Sequence, residues 1–285
     1  MNASRPRLGA HMSIAGGVEK SIARGASIGC ETIQIFTKNT NQWRAAPLQP
    51  DQIERFQAAR AGGDVWPIFA HAAYLINLAS PDPALWNRSL DAFTIELERC
   101  ETLGLPGLVI HPGAHMGSGE EAGLARVAEA LREVFRRLPG GAVQVWLETT
   151  AGQGTGLGHS FHQLQRIDEL TGRPERIGFC FDTAHVLAAG YDLRTREGYQ
   201  ATFAEFERLL GLHRLRAFHL NDSKRDQGSR VDRHTHIGQG HLGLEPFRML
   251  LNDPRFAGRP MVLETPKGPD LAEDVRNLRV LRGLL

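Results

Sequence analysis

Six residues suited to metal or acid–base chemistry, His71, His111, Glu148, Asp182, His219 and Glu264, each stand at or near the end of a short apolar run. The runs are VWPIFAH, PGLVIH, VQVWLE, IGFCFD, LRAFHLND and RPMVLE, preceded by RLGAH to His11 and ETIQIFTK to Lys38. They recur at intervals of roughly 25 to 45 residues, the size of one strand–helix unit. A lone histidine at a strand end more often satisfies a local hydrogen bond than binds an ion. Imidazoles and carboxylates at six equivalent ends of a parallel α/β barrel converge instead on one cavity, because barrel sites form at the carboxyl ends of the strands. Carboxylates crowded there lose their hydration and repel one another unless cations compensate them. The set therefore points to bound metal, and its size to more than one ion.

A second group reinforces the first. In FDTAH, His185 follows Asp182 by three residues, so one strand-to-helix turn can aim both at the same cluster. In VDRHTH, Asp232 and His234 are two apart and share a face where the chain is extended. Taken alone, VDRH reads as an ordinary solvated loop; beside His185 it completes another nitrogen- and oxygen-rich site, a mixture that suits zinc.

The elements that must position these residues have readable ends. Asp82 before Pro83 forms an N-cap and N1 pair opening a helix to about Leu103, with Gly104 just past its end. Glu120 to Leu138 has helical periodicity and stops at Pro139-Gly140-Gly141, and Ser160-Phe161-His162-Gln163 is a capping box. Thr195 to Leu210 reads as a helix stopped at Gly211; another begins near Leu244, and a last one covers Ala272 to Leu284. Strand and helix alternate with no Ser/Gly linker. This predicts an α/β protein, a single (β/α)8 TIM barrel over residues 1–285 with its active site at the C-terminal face of the strands. Two longer loops, Thr37 to Pro50 and Asn221 to Gly243, follow strand-end residues, where long loops usually carry function.

Composition sets limits. An apolar fraction of 41% and a charged fraction of 23% are ordinary for a globular chain of 285 residues. A net charge of +1 argues neither for nor against nucleic acid, so binding a polyanion would need a local basic face. Cys30, Cys100 and Cys180 are odd in number and widely spaced, which argues against a disulfide framework and for a reducing compartment. Cys180, inside an apolar run, reads as a small core residue. The N-terminus MNASRPRLGAHMS has no apolar signal-like segment, and no stretch approaches about 18 apolar residues, so a cytoplasmic protein without a membrane partner is expected.

The segments GAHMSIAGG, IFTKN, FAHAAYLINLAS, VIHPGAH, LETTAGQG, GFCFDTAHVLAAGYD, FHLNDSK, GSRVDRHTHIGQG and LETP resemble the endonuclease IV family of apurinic/apyrimidinic endonucleases, in order and over nearly the whole chain. The resemblance implies a barrel holding three zinc ions. It assigns His71, His111 and Glu148 to the first, Glu148, Asp182, His219 and Glu264 to the second with Glu148 bridging, and His185, Asp232 and His234 to the third. Glu148 would also orient the attacking hydroxide, and His11 would support the ligands from behind. The implied partner is double-stranded DNA with abasic sites or blocked 3′ ends, cut hydrolytically 5′ to the lesion; the sequence gives no clear sign of a self-association surface, so a monomer is expected. The pair Tyr74-Leu75, whose bland reading is core packing, would wedge into the duplex while the abasic nucleotide flips out. Lys38, Asn39 and Asn41 in TKNTNQWR, with Arg230 and Arg233, would contact DNA, and Arg44, Lys224 and Arg225 would extend the basic face. Asn41 departs from the family, where an arginine often stands in that loop, and puts one minor-groove contact in doubt.

The strongest rival is a metal-dependent sugar isomerase or epimerase on the same barrel, since a fold does not fix a function. Such an enzyme has no need of a third site like His185, Asp232 and His234, or of a wedge. A non-catalytic lesion-binding protein is disfavoured because every ligand position is intact. An amidohydrolase fits poorly because His11-Met12-Ser13 lacks the HxH that class carries after its first strand.

Overall fold

The computed structural model of the chain describes residues 5–285; the first four, part of the N-terminal stretch read for a leader, lie outside the described residues. Eight parallel strands close on themselves: β1 (Arg7–Met12), β2 (Thr32–Ile35), β3 (Ile68–His71), β4 (Gly107–Ile110), β5 (Gln144–Glu148), β6 (Ile177–Asp182), β7 (Leu215–His219) and β10 (Pro260–Leu263). The ring closes because β1 pairs with both β10 and β2, Arg7 to Ala10 against Pro260 to Leu263 and Gly9 to Met12 against Thr32 to Ile35. The remaining two strands, β8 (Asp222–Ser223) and β9 (His234–Thr235), form an antiparallel hairpin in the long loop after β7.

The apolar runs are apolar because these strands are covered on both faces. Outward-facing residues such as Phe179, Phe181 and Phe218 pack under the helices, in a core that also takes Phe93, Phe203 and Phe206. The barrel interior holds a separate layer of Phe69, Val109, Trp146, Cys180, Ala217 and Val262. Each of these stands two residues before one of the six strand-end residues. Since side chains two apart on a strand share a face, that layer is the floor on which His71, His111, Glu148, Asp182, His219 and Glu264 stand.

The helices are α1 (Lys20–Ser27), α2 (Pro50–Ala61), α3 (Pro83–Leu103), α4 (Glu120–Arg137), α5 (Phe161–Thr171), α6 (Thr183–Ala189), α7 (Arg196–Leu210), α8 (Glu245–Leu251) and α9 (Ala272–Arg282). The caps of α3 are as expected: Asp82 Oδ1 accepts from the Ala84 and Leu85 N–H groups at 2.7 and 3.0 Å, and Gly104 takes the left-handed conformation at φ 66°. The capping box of α5 is only half made. Ser160 accepts from the Gln163 N–H at 3.3 Å, but the Gln163 side chain accepts from Gly158 and His159 rather than from Ser160. Those two N–H groups belong to the tight loop over Glu148 and have stronger need of an acceptor.

One further expectation is corrected. The second run ends as a strand at Ile35, so Lys38 lies in the loop beyond it. The long loop Asn221 to Gly243 is there as expected, tied down by the buried Asp222 carboxylate, which accepts from Ser223, Gly240 and Leu242 N–H groups at 2.8 to 2.9 Å. The three cysteines are free and buried, as the spacing implied. Among the described residues no helix is long and apolar enough to cross a membrane.

Candidate metal centre

Glu148, at the end of β5 and fully buried, is the hub. Its Oε2 lies 3.0 Å from His71 Nε2 and 3.1 Å from His111 Nε2, while its Oε1 lies 3.0 Å from His219 Nδ1 and 3.2 Å from His185 Nδ1. Ligand-type atoms within 4.8 Å of one another define three groups: His71, His111 and Glu148; Glu148, Asp182, His219 and Glu264; and Asp182, His185 and His234. Glu148 belongs to the first two and Asp182 to the last two. Asp232 joins the third group from the hairpin loop, with Oδ2 3.2 Å from His185 Nε2 and Oδ1 3.3 Å from His234 Nε2. Every ligand residue expected from the sequence is thus in one cavity.

Two features show that this donor set fits metal ions. The first is the state of the charges. Burial raises the cost of ionising Glu148, yet His219 and His111 hold its carboxyl well below the usual carboxylate range. Glu264, also opposed by burial, is held at about 2 chiefly by His219. Burial opposes charge on His185 and His219 too, but Asp182 foremost at His185, and Cys180 followed by Glu264 and Glu148 at His219, push both well above the ordinary imidazole value. The carboxylates draw protons onto the imidazoles, and a divalent cation replaces those protons.

The second feature is the orientation of the rings. His71 Nδ1 lies 2.7 Å from the Ala72 carbonyl, which leaves Nε2 facing Glu148. His185 Nδ1 lies 2.9 Å from the Thr149 carbonyl, leaving Nε2 toward Asp232 and His234. His219 Nε2 lies 2.7 Å from Gln34 Oε1, leaving Nδ1 toward Glu148 and Glu264. Metal-binding histidines are characteristically held through the nitrogen that does not bind, which fixes ring and tautomer together.

Local structure places the carboxylates equally firmly. Asp182 is the N-cap of α6, its Oδ1 accepting from the His185 N–H at 2.8 Å, so one residue starts the helix and faces the cavity. Asn221 donates to Asp182 Oδ2 at 2.7 Å and accepts from the Glu264 N–H at 2.8 Å. His11 stands behind Glu264, with Nδ1 3.8 Å from its Oε1 and its ring 4.3 Å from that of Phe36. Burial, the largest influence on it, pushes its imidazole down to about 3, so it is neutral.

Gln34, Asn221 and Glu96 escaped the sequence reading. Gln34 left one trace, a single amide inside the apolar run TIQI of a strand buried at every position. Glu96, buried in the middle of α3, explains where Lys38 goes. Lys38 is itself 5% exposed, with Nζ 3.0 Å from Glu96, and it also donates to the Gln42 carbonyl at 2.6 Å. Its charge faces a buried carboxylate.

The other rim residues are placed at the surface. Tyr74 is 67% and Leu75 38% exposed beside the mouth, and Asn39, Asn41, Arg230 and Arg233 are exposed in the loops after β2 and β8. Between Tyr74, Asn77, His111, Gln153 and Asp232 lies a cavity of about 310 Å³ that reaches the ligands. A larger cleft of about 580 Å³ between α7, α8 and the C-terminus touches none of them.

Known proteins match this arrangement. A family model described as a xylose isomerase-like TIM barrel covers residues 22–282. A protein of Chloroflexus aurantiacus named probable endonuclease 4 is 57% identical over 280 residues, 98% of each chain. The crystal structure of endonuclease IV from Thermus thermophilus superposes with a TM-score of 0.87 at 36% identity, again over 98% of each chain. The chain belongs to the endonuclease IV family. Membership makes it an enzyme, a DNA-cleaving hydrolase of repair, and the three ligand groups mark it as metal-binding. A D-tagatose 3-epimerase-like protein shares a TM-score of 0.75 at 17% identity, a likeness of fold alone that does not extend to this family's function.

Proposed function

We propose that this endonuclease IV family member is a zinc-dependent apurinic/apyrimidinic endonuclease. It hydrolyses the phosphodiester 5′ to an abasic site, leaving a 3′-hydroxyl and a 5′-deoxyribose phosphate, and also clears blocked 3′ ends. The observation that carries this reading is the sharing of Glu148 and Asp182 among three ligand groups in one barrel mouth beside an exposed Tyr74-Leu75 pair. We assign His71, His111 and Glu148 to one zinc, Glu148, Asp182, His219 and Glu264 to the second, and His185, Asp232 and His234 to the third, with Asp182 near enough to serve the last as well. Zinc bound there supplies Lewis acidity and lowers the pKa of water to about 7.

The protein's own part is orientation. Glu148, buried with both oxygens engaged by imidazoles, orients the attacking hydroxide toward phosphorus. The Ala72 and Thr149 carbonyls and Gln34 keep three histidine rings in their working tautomers. Tyr74 and Leu75 fill the gap in the duplex, and the neighbouring cavity receives the extruded sugar. An abasic nucleotide has little stacking to lose, so extrusion selects for it. Arg230 and Arg233, with Asn39 and Asn41, hold the backbone on either side. The whole chain acts as one domain, as a monomer in the cytoplasm.

The test is a duplex carrying one tetrahydrofuran abasic analogue, which cannot undergo β-elimination. Cleavage on its 5′ side by the metal-loaded protein is the expected result. Absence of cleavage would return the sugar isomerase or epimerase reading.

A further inference from the structure

Of the acceptors that fix the histidine rings, the Ala72 and Thr149 carbonyls are main chain and Gln34 is a side chain. Gln34 is fully buried in the middle of β2, a strand buried at every position. Its amide makes three contacts, all toward the metal centre. Oε1 lies 2.7 Å from His219 Nε2, while Nε2 donates to Glu264 Oε1 at 2.5 Å and lies 2.9 Å from His11 Nδ1. Chemistry allows one orientation of this amide. The reverse would set its oxygen against a carboxylate oxygen and its N–H₂ against the only nitrogen of His219 that must donate. With Gln34 oriented so, His219 keeps a hydrogen on Nε2 and turns Nδ1 toward the ligand group, and Glu264 keeps Oε2 free of Gln34, 3.2 Å from that nitrogen. The third contact makes His11 an acceptor at Nδ1, so its hydrogen sits on Nε2, a buried atom with no protein partner.

We propose that Gln34 is a positioning residue of the catalytic centre: one side-chain amide sets the tautomer of His219 and the free oxygen of Glu264, and thereby the affinity of the ligand group they share with Glu148 and Asp182. This rests on the metal-centre reading given above. Gln34 touches neither ion nor substrate and acts through the two ligands.

The test compares wild type with Gln34→Met, which keeps the length of the side chain and loses all three contacts. Each protein is stripped of metal, checked by circular dichroism, and titrated with Co²⁺ alone, whose visible spectrum reports the ligand set, and with Zn²⁺ against a competing chelator. The expected result is wild-type stoichiometry with one class of site weakened roughly 10- to 100-fold and its cobalt band shifted. On abasic duplex kcat falls with the occupancy of that site and KM stays at the wild-type value. Gln34→Glu, which keeps an acceptor for His219 but sets a second carboxylate against Glu264, is expected to weaken the same class of site and decides the matter if the methionine variant does not fold. Unchanged affinity and spectrum in a folded variant would overturn the role of Gln34. Failure of the wild-type protein to take up metal would instead overturn the metal-centre reading itself.

Discussion

His185 Nδ1 stands 3.2 Å from Glu148 Oε1, so a histidine of the third ligand group touches the carboxylate that joins the other two. The groups are therefore one connected centre, and removing its hub disturbs all of it. Glu148→Gln keeps the volume and loses the charge. Cleavage of an abasic duplex is expected to fall by at least about a hundredfold, with the far-ultraviolet dichroism of the metal-free protein retained.

Metal removal follows from the same connection. Eight residues of this centre, besides Glu148, are His, Asp or Glu buried or half-buried at strand ends, in the first turn of α6 and in the loop after β8. Stripping with a strong chelator is expected to abolish cleavage and lower Tm, and zinc is expected to restore both. Each site saturated at a hundred times its Kd stabilises the fold by about 2.7 kcal/mol. A metal-free protein with unchanged Tm would show that the ligands were satisfied without ions.

Tyr74 is the residue to separate recognition from folding, because two-thirds of it is already exposed. Tyr74→Ala is expected to weaken binding to abasic duplex by about 1–3 kcal/mol, the range for loss of an aromatic stacking on bases, while Tm is unaltered. Gel-shift titrations with abasic and intact duplexes check this; equal loss on both would assign Tyr74 to general adhesion.

Lys38 and Arg233 make a paired comparison. Breaking the buried Lys38–Glu96 pair by Lys38→Met leaves an uncompensated carboxylate and is expected to cost about 3–5 kcal/mol of stability. Arg233→Ala, at an exposed position, is expected to leave stability alone and to reduce the slope of log affinity for DNA against log salt by about 1.

The barrel and the clustering of the candidate ligands were legible in the sequence because one physical pattern encodes both. A strand covered on both faces is an unbroken apolar run, and a polar side chain ending it stands out. The supports behind the ligands are less visible. Gln34 is one amide in TIQI, and its partners His11, His219 and Glu264 lie far away along the chain. Lys38 looked like a surface charge because its partner, Glu96, sits in the interior of a helix whose charged residues mostly face solvent. The helix α6 is seven residues long and is capped by Asp182 itself, too short for periodicity to reveal. Such features depend on which elements the closed barrel brings side by side.

Away from the centre, acid sensitivity has a local source. Burial disfavours the Asp253 carboxylate, but hydrogen bonds from Arg255 and Tyr199 hold its pKa below the usual value. A depressed folded-state pKa means that Asp253 stabilises the fold fully above the unfolded value of about 3.9 and loses that contribution as pH falls through the folded value. The Tm difference between wild type and Asp253→Asn is expected to be complete at neutral pH and to shrink below about pH 4. A difference independent of pH would remove the carboxylate's charge from the explanation.

The most direct measurement of the central claim uses the tetrahydrofuran duplex with zinc-loaded wild type, metal-stripped wild type and Glu148→Ala, read on a denaturing gel. Cleavage 5′ to the analogue by the first alone, restored to the second by zinc, is the expected result. Cleavage that persists without metal or without Glu148, or none from the fully loaded protein, would contradict it.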